Sequence, residues 1–484
     1  VTVALVWFRR DLRLADNPAL HAACTRADRV IPLYVWAPAE ESPWEPGGAS
    51  RWWLHHALSR LQDSLSALGN PLILRRAEAT LDALRSLAAA HGVTHLYWNR
   101  LYDPATVARD KRIKAWAAGN GLVAESFKAG LLVEPWEAAT GKGDPYRVFT
   151  PFWKSVRTRE VADPLPAPTK LPGPPEAVAG DALESLRLLP RIRWDSGLAA
   201  QWEPGEPGAH AMLERFADEA IERYDSARDR PAEPATSRLS PYLHHGELSP
   251  RQALHLARQV TDEARAAPWL RQLYWREFAH HLLFHFPHTA EAPLDARFQA
   301  VEWSSDAAAL ADWQAGRTGI PIVDAGMREL WRTGWMHNRV RMLAASLLTK
   351  NLLQPWQAGA RWFWDTLVDA SLANNTLGWQ WTAGCGADAA PYFRIFNPVL
   401  QGERFDPKGR YVRHWVPELA GLPDRWLHRP WEAPEDVLRQ SGIRPGCDYP
   451  RPLVDLKRSR DDALAAWDVI KGAAPGGRNP PATA

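Results

Sequence analysis

Five short runs of β-branched and aromatic residues, spaced by amphipathic stretches, constrain the first third of this chain more than any other feature. VTVALVW (1–7), VIPLYVW (30–36), PLILRR (71–76), THLYW (94–98) and LVAESF (122–127) read as strands. SRWWLHHALSRLQDSLSALG (50–69) reads as a helix with Ser50 as N-cap and Gly69 just past its end, and Leu54, Leu58, Leu61, Leu65 and Leu68 mark its buried face. Thr80 caps a further helix that ends near Gly92, and Pro104 opens another. Strands separated by helices pair in parallel, so the fold class expected for residues 1–130 is an α/β doubly wound parallel sheet. Beyond about residue 208 strand patterns almost vanish and helical stretches follow one another, which predicts an all-α domain over 208–470, large enough to bury a cofactor. Residues 131–207 connect the two; within them DPLPAPTKLPGPP (163–175) holds six prolines and reads as a stiff strap over a surface. The tail, 471–484, is expected to be disordered.

The opening strand runs into FRRDLRLADNPAL (8–20) without a glycine, so the Gly-rich turn of an ordinary dinucleotide site is absent. Nucleophile-elbow, zinc-protease, phosphate-loop and kinase motifs are absent too, which leaves hydrolysis and phosphoryl transfer without support. A net charge of +2 excludes a uniformly basic nucleic-acid coat, so any polyanion must meet a local patch. Arginine far outnumbers lysine, which suits forked phosphate contacts and equally a GC-rich genome. Cys24, Cys385 and Cys447 are odd in number and far apart, so neither a disulfide framework nor a metal cluster is readable. His281, His285 and His288 have metal-reaching spacings, but HHLLFHFPH offers no carboxylate or thiolate, and no metal is expected. No apolar run reaches the ~18 residues of a membrane span, no signal segment opens the chain and no heptad is sustained. A cytoplasmic monomer with no membrane partner is therefore expected.

Tryptophan is the compositional outlier, at 26 of 484 residues. In TSRLSPYLHHGELSPRQAL (236–254), Thr236, Ser237 and Ser240 stand with Arg238 ahead of a helix, as caps or as a phosphate site. In WLRQLYWREFAHHLLFHF (269–286), Leu273, Phe278, Leu282, Leu283 and Phe286 mark a buried face, with Gln272, Trp275, Arg276 and His280 off it or at its edge. Indole, guanidinium and amide together suit a pocket that stacks on and hydrogen-bonds a planar ligand. GWMHNRVRM (334–342) brings Asn338, Arg339, Arg341 and Met342 to the start of a helix reaching about Leu353. VDASLANNTLGWQW (368–381) is polar and indole-rich, with Asp369 able to neutralise a buried arginine. A polar pocket without a nucleophile motif points to an organic cofactor that does the hard chemistry.

WFRRDLRLADNPAL (7–20), TSRLS (236–240), WREF (275–278), GRTGIPIVDAGMRELWRTGWMHNRVRM (316–342), GWQW (378–381) and DAAPYFRIFNP (388–398) resemble, in order, the photolyase and cryptochrome family. The resemblance implies an N-terminal antenna domain, a helical domain holding FAD, and light-driven electron transfer to a cyclobutane pyrimidine dimer in UV-damaged DNA. It implies Tyr224, Thr236, Ser237, Arg238, Leu239 and Ser240 on the flavin's phosphates and ribitol, Arg341 and Asp369 as an ion pair beside its ring, and Asn375 at the N5 edge. Trp275 and Trp381 would flank an extruded dimer with Asn338, Met342 and Gln272 beside it, as base-flipping enzymes, photolyases among them, read their targets. Arg228, Arg276, Arg339 and Arg394 match positions that approach DNA, and Trp379, Trp356 and Trp303 match a photoreduction chain from flavin to surface. Arg51, Trp98, Asn99 and Asp103 are candidate edges of a second, antenna chromophore's pocket, with folate, deazaflavin, a second flavin or no chromophore all left open.

Two positions depart from the family pattern. Gln272 stands where dimer-repair enzymes usually carry glutamate, and an amide donates a hydrogen bond but supplies no acidic proton. Ser371 stands where aspartate is common near the flavin's pyrimidine edge. Two alternatives follow: a blue-light photoreceptor of the cryptochrome type, and repair of the (6-4) photoproduct. The arginine set, the paired indoles and the lack of a long extension beyond about residue 470 favour dimer repair over the photoreceptor. Asn338 and Met342, where the (6-4) branch needs histidines, favour it over (6-4) repair.

Overall fold

The computed structural model describes residues 1–175, 178–392 and 394–472, and the chain divides into two compact units. The first comprises Val1–Ser226, Ala235–His285 and Trp364–Ala373; the second comprises Ala227–Pro234, Phe286–Phe363 and the chain from Asn374 onward. The tail expected to be disordered lies, from residue 473, outside the described residues.

In the first unit β1 (Val3–Phe8), β2 (Arg29–Trp36), β3 (Ile73–Arg76), β4 (His95–Asn99) and β5 (Val123–Phe127) form one parallel sheet in the order β3-β2-β1-β4-β5. Every residue of β1 is buried, which is why VALVWF is continuously apolar rather than alternating. Leu5, Trp7, Leu33, Leu96 and Trp98 share a core with Leu84 and Leu87 of the helix Thr80–His91 and Ile113 of the helix Pro104–Gly119. Connections run outward from β1 to β3 and then return to β4, so the strand order reverses between β1 and β4, where sheets of this kind open a crevice at their carboxyl ends.

The helix expected from Ser50 begins earlier, at Gly48, with Gly47 as its N-cap. A Cβ on Gly47 would lie 2.4 Å from the Trp364 carbonyl oxygen, and the Gly48 N–H donates to the Asp365 carboxylate at 2.7 Å, so a distant carboxylate replaces the local cap. Ser50 turns inward. Thr80 is likewise the first helical residue, and Ala79 is the cap. The proline strap lies on this unit as expected: Leu165 N–H donates to Asp16 at 3.0 Å and the Asn70 amide to the Pro172 carbonyl at 2.7 Å.

The boundary expected near residue 208 is not where the units divide. Helix Glu263–His285 stays with the sheet because its buried Glu277 carboxylate accepts the Leu132 and Val133 N–H groups at 2.9 and 3.0 Å. The second unit is helical, and no strand follows Phe127 among the described residues. Its helices Pro321–Thr333 and Asn338–Ser346 meet at Gly326, where a Cβ would lie 2.2 Å from Val340. The latter widens into a π turn, Leu347–Asn351, and helices Trp356–Thr366 and Leu372–Ala383 follow. No described helix is long and apolar enough to cross a membrane.

Candidate functional site

At the carboxyl ends of β1 and β2 the first unit holds a cleft that opens to solvent, walled by Trp7, Arg9, Arg10, Tyr34, Ser50 and Arg109 among others. Arg9 pairs with Asp110 at 2.7 Å, and Arg10 with Asp103 and Glu41 at 2.5 and 2.8 Å. Four buried polar atoms of the lining lack hydrogen-bond partners: Trp7 Nε1, Arg9 Nε, Ser50 Oγ and Arg109 Nε. Buried polar groups in native folds are nearly always partnered, so these four atoms are available to a polar guest or to water. Burial pushes His244 well below the ordinary imidazole value and His245 down to about 3, which leaves both lining rings neutral.

None of the four expected pocket edges lines this cavity. Arg51 is exposed, Trp98 donates to Asp110 on the sheet, and the Asn99 amide is held by Asp11 and Asn17 at 2.6 and 2.7 Å. Asp103 acts from behind, through Arg10. The wall comes instead from the ends of β1 and β2 and from the helix containing Ser50, which sequence proximity to β4 does not reveal.

The TSRLS segment places Arg238 in the left-handed region at φ 51°, rare for a side chain of its size. Leu239, not a hydroxyl residue, caps the helix Ser240–His245, so the capping role expected of Thr236, Ser237 and Ser240 is absent. Ser240 Oγ donates instead to Asp369 at 2.6 Å, and neither the Thr236 nor the Ser237 hydroxyl has a partner among the described residues. Tyr224 and Leu239 are buried, and buried Ser371 donates its N–H to the Asp369 carbonyl at 2.7 Å. In the second unit Arg341 Nε donates to the Met336 carbonyl at 2.8 Å. Asn375 Nδ2 donates to the Ala360 carbonyl at 2.9 Å; since a carbonyl only accepts, Oδ1 is the end left outward, as an acceptor. The Thr236 and Ser237 hydroxyls suit the phosphates and polyol of FAD, and the Asn375 amide oxygen suits its ring edge.

Trp275 lies flat on Phe149, with ring centroids 3.8 Å apart and planes 8° apart, so one indole face is already covered. Gln272 donates to the Pro268 carbonyl at 3.2 Å, turned back along its own helix. In the second unit Asn338 is exposed with its amide 3.8 Å from the Met342 sulfur, and Trp381 is half-buried. The arginines divide. Arg394 is exposed and Arg228 half-buried. Arg339 pairs with Asp229 at 2.9 Å. Arg276 contradicts the DNA-facing expectation: its side chain is 14% exposed and donates to the Gly130 carbonyl at 2.7 Å, tying its helix to the preceding loop. His281 and His285 both reach the Pro135 carbonyl at 3.0 Å, which accounts for their spacing, and no cluster able to hold a metal occurs among the described residues.

The three tryptophans expected to form the photoreduction chain stand on adjoining segments of the second unit. Buried Trp379 packs over Gly359, one turn along the helix from buried Trp356. Ser304 N–H donates to the Leu353 carbonyl at 2.7 Å and Gln354 reaches the Asp306 carbonyl at 2.8 Å, which pins half-buried Trp303 beside the start of the same helix. Sequence reading missed the flanking rings: Phe363 and Trp313 meet Trp379 at 5.0 and 6.1 Å, and exposed Trp331 stacks on Trp362 at 5.9 Å. For Trp313, Trp331 and Trp362 the one sequence signal was the tryptophan count, and Phe363 had none.

A parallel α/β unit with a polar cleft at its strand ends and a tryptophan-rich helical unit are the two parts of the chain. The family described as DNA photolyase matches residues 4–170, and that described as FAD binding domain of DNA photolyase matches 269–469. A deoxyribodipyrimidine photo-lyase of Agrobacterium fabrum is 45% identical over 472 residues, 96% of this chain and 98% of its own length. Cryptochrome-2 of Arabidopsis thaliana is 40% identical over 94% of this chain and 77% of its own. The crystal structure of a bacterial class III photolyase from Agrobacterium tumefaciens superposes with a TM-score of 0.94 at 44% identity, covering 98% of both chains. The chain belongs to the DNA photolyase and cryptochrome family.

Proposed function

We propose that this protein is a deoxyribodipyrimidine photo-lyase, a light-dependent enzyme that splits cyclobutane pyrimidine dimers in DNA. The 45% identity to a photo-lyase over 472 residues carries the reading, above the 40% to the plant cryptochrome. FAD, when bound, supplies the light-driven electron that opens the dimer.

The chain's own residues do the rest. Thr236, Ser237 and Arg238 bind the phosphate and ribitol end; Ser240 fixes the Asp369 carboxylate, and Asp369, Arg341 and Ser371 address the ring. Asn375 offers its outward oxygen to a ring N–H. Trp275, through the face Phe149 leaves open, and Trp381 stack on the flipped pyrimidines, while Asn338, Met342 and the Gln272 amide meet their edges. To do so Gln272 must release the Pro268 carbonyl. Trp303, Trp356 and Trp379 pass electrons inward from the surface. Arg228 and Arg394 meet DNA phosphates; Arg339 contributes only by exchanging Asp229 for a phosphate. The polar cavity at the sheet edge takes a second, light-gathering chromophore, and its unpartnered donors favour one with anionic or carbonyl groups. The protein acts as a cytoplasmic monomer.

The test is to incubate the purified, reduced protein with a dimer-containing oligonucleotide under blue light. Dimer loss well above a dark control is expected; none would overturn the reading. Gln272 is the one observation favouring a photoreceptor or the (6-4) branch, and loss of only the (6-4) product would move the assignment there.

A further inference from the structure

The surface leading away from Trp275 carries an array that the roles above do not use. Phe149, the first residue of the helix Phe149–Val156, stacks on Trp275 at 3.8 Å. Arg271, one turn before Trp275, sets its guanidinium 5.3 Å from the Phe149 ring and 5.1 Å from the Trp153 ring. Arg157, at the end of the short helix, lies 4.6 Å over Trp153. Phe149 is buried beneath Arg271, and the order at the surface is cation, ring, cation, Arg271, Trp153 and Arg157, with exposed Lys154 alongside.

Lys154, Arg157 and Arg271 have no carboxylate within 4.0 Å among the described residues. Arg159, close by, shows the contrast: Glu137 holds it through its carbonyl at 2.8 Å and its carboxylate at 3.8 Å. Arg157 and Arg271 are therefore planar cations stiffened from beneath by rings, with outer faces and donors left to solvent. A nucleic-acid single strand has the complementary pattern, π-faces alternating with phosphates, and guanidinium planes stack on bases as aromatic rings do. A duplex hides its base faces and can use only the charges.

We propose that the rail Arg271–Trp153–Arg157 binds the unpaired nucleotides of a single strand next to the flipped lesion, giving the protein a sequence-tolerant preference for single-stranded DNA. This rests on the DNA-repair reading and extends it to substrate form. Fluorescence anisotropy with the full chain and lesion-free oligo-dT, against a duplex of equal length at several salt concentrations, reads it directly. The wild type is expected to bind oligo-dT more tightly than duplex. Trp153→Ala, which removes a ring but no charge, is expected to weaken oligo-dT binding about tenfold with little change for duplex. Arg157→Gln is expected to reduce the oligo-dT salt slope by about 0.7. Arg157→Lys, the gentler change, is expected to keep that slope while losing affinity, because it retains charge without a plane. Equal losses for both DNA forms, or wild-type binding by the variants, would overturn the rail. A wild type that holds oligo-dT as expected yet splits no dimers would sink the repair reading and leave the rail standing.

Discussion

Gly359→Ala tests whether Trp379 sits where an electron path needs it. A Cβ at this position would lie 2.1 Å from one atom of the Trp379 ring and 2.5 and 2.6 Å from two others, so the ring must retreat by about 1.3 Å to reach ordinary contact near 3.4 Å. Phe363 and Trp313 close in at 5.0 and 6.1 Å, which leaves the ring little room to retreat. Overpacking of this kind costs about 1–3 kcal/mol, and the better helix propensity of alanine returns about 1 kcal/mol. The expected net loss is about 1 kcal/mol, or roughly 2–4 °C in Tm for a unit of this size. Light-driven flavin reduction, followed by absorbance with an external reductant, is expected to slow. The adjacent helix supplies a control: a Cβ at Gly378 meets nothing within 4 Å, so Gly378→Ala should hold or raise Tm. If Gly359→Ala leaves both Tm and photoreduction at wild-type values, the packing account of Trp379 is wrong.

Trp356→Phe should abolish rapid photoreduction while repair by chemically reduced protein persists; loss of both, with the fold intact, would mean Trp356 serves the site rather than the wire. Gln272→Glu should raise the dimer-splitting yield, because a protonated carboxyl supplies the acidic proton that the amide lacks, and an unchanged or lower yield counts against that account. Arg276→Gln should cost about 1–3 kcal/mol of stability in urea melts, because the Gly130 carbonyl loses its donor, and should leave the salt dependence of DNA binding unaltered. Lys350 is buried with no carboxylate within 4.0 Å among the described residues; burial lowers its amine well below the usual 10.5. The folded state then binds fewer protons than the unfolded chain below that pH, so stability rises as pH climbs toward 10.5, and Lys350→Met should flatten that rise between pH 7 and 10. Parallel wild-type and variant slopes would refute it.

The sheet was legible because each strand is a short apolar run bounded by turns, and all five strands occur where those runs lie. The helix starts were less so: Ser50 looks like a cap, but Asp365, more than three hundred residues away, caps the helix from Gly48. Glu277 shows the same limit. Periodicity places it beside Phe278 on a half-exposed helix, and only the two backbone N–H groups from residues 132 and 133 make burial of a carboxylate tolerable. The cavity was misplaced for a related reason, since its wall collects the ends of strands distant in sequence.

For the arginines, family position and physical availability diverge. A chain with a net charge of only +2 cannot rely on a general positive field, so its hold on DNA depends on which cations are uncommitted. Arg276 is spent on a backbone carbonyl and Arg339 on Asp229, so a phosphate gains little from the first and must displace a carboxylate at the second. Lys154, Arg157, Arg271 and exposed Arg394 carry no such debt, and three of them flank an aromatic run that begins at Trp275. Each phosphate that such a cation neutralises contributes about −0.9 to the salt slope on duplex and about −0.7 on a single strand. The slope therefore counts the available cations, and neutralising Arg276 should leave that count unchanged where neutralising Arg157 lowers it.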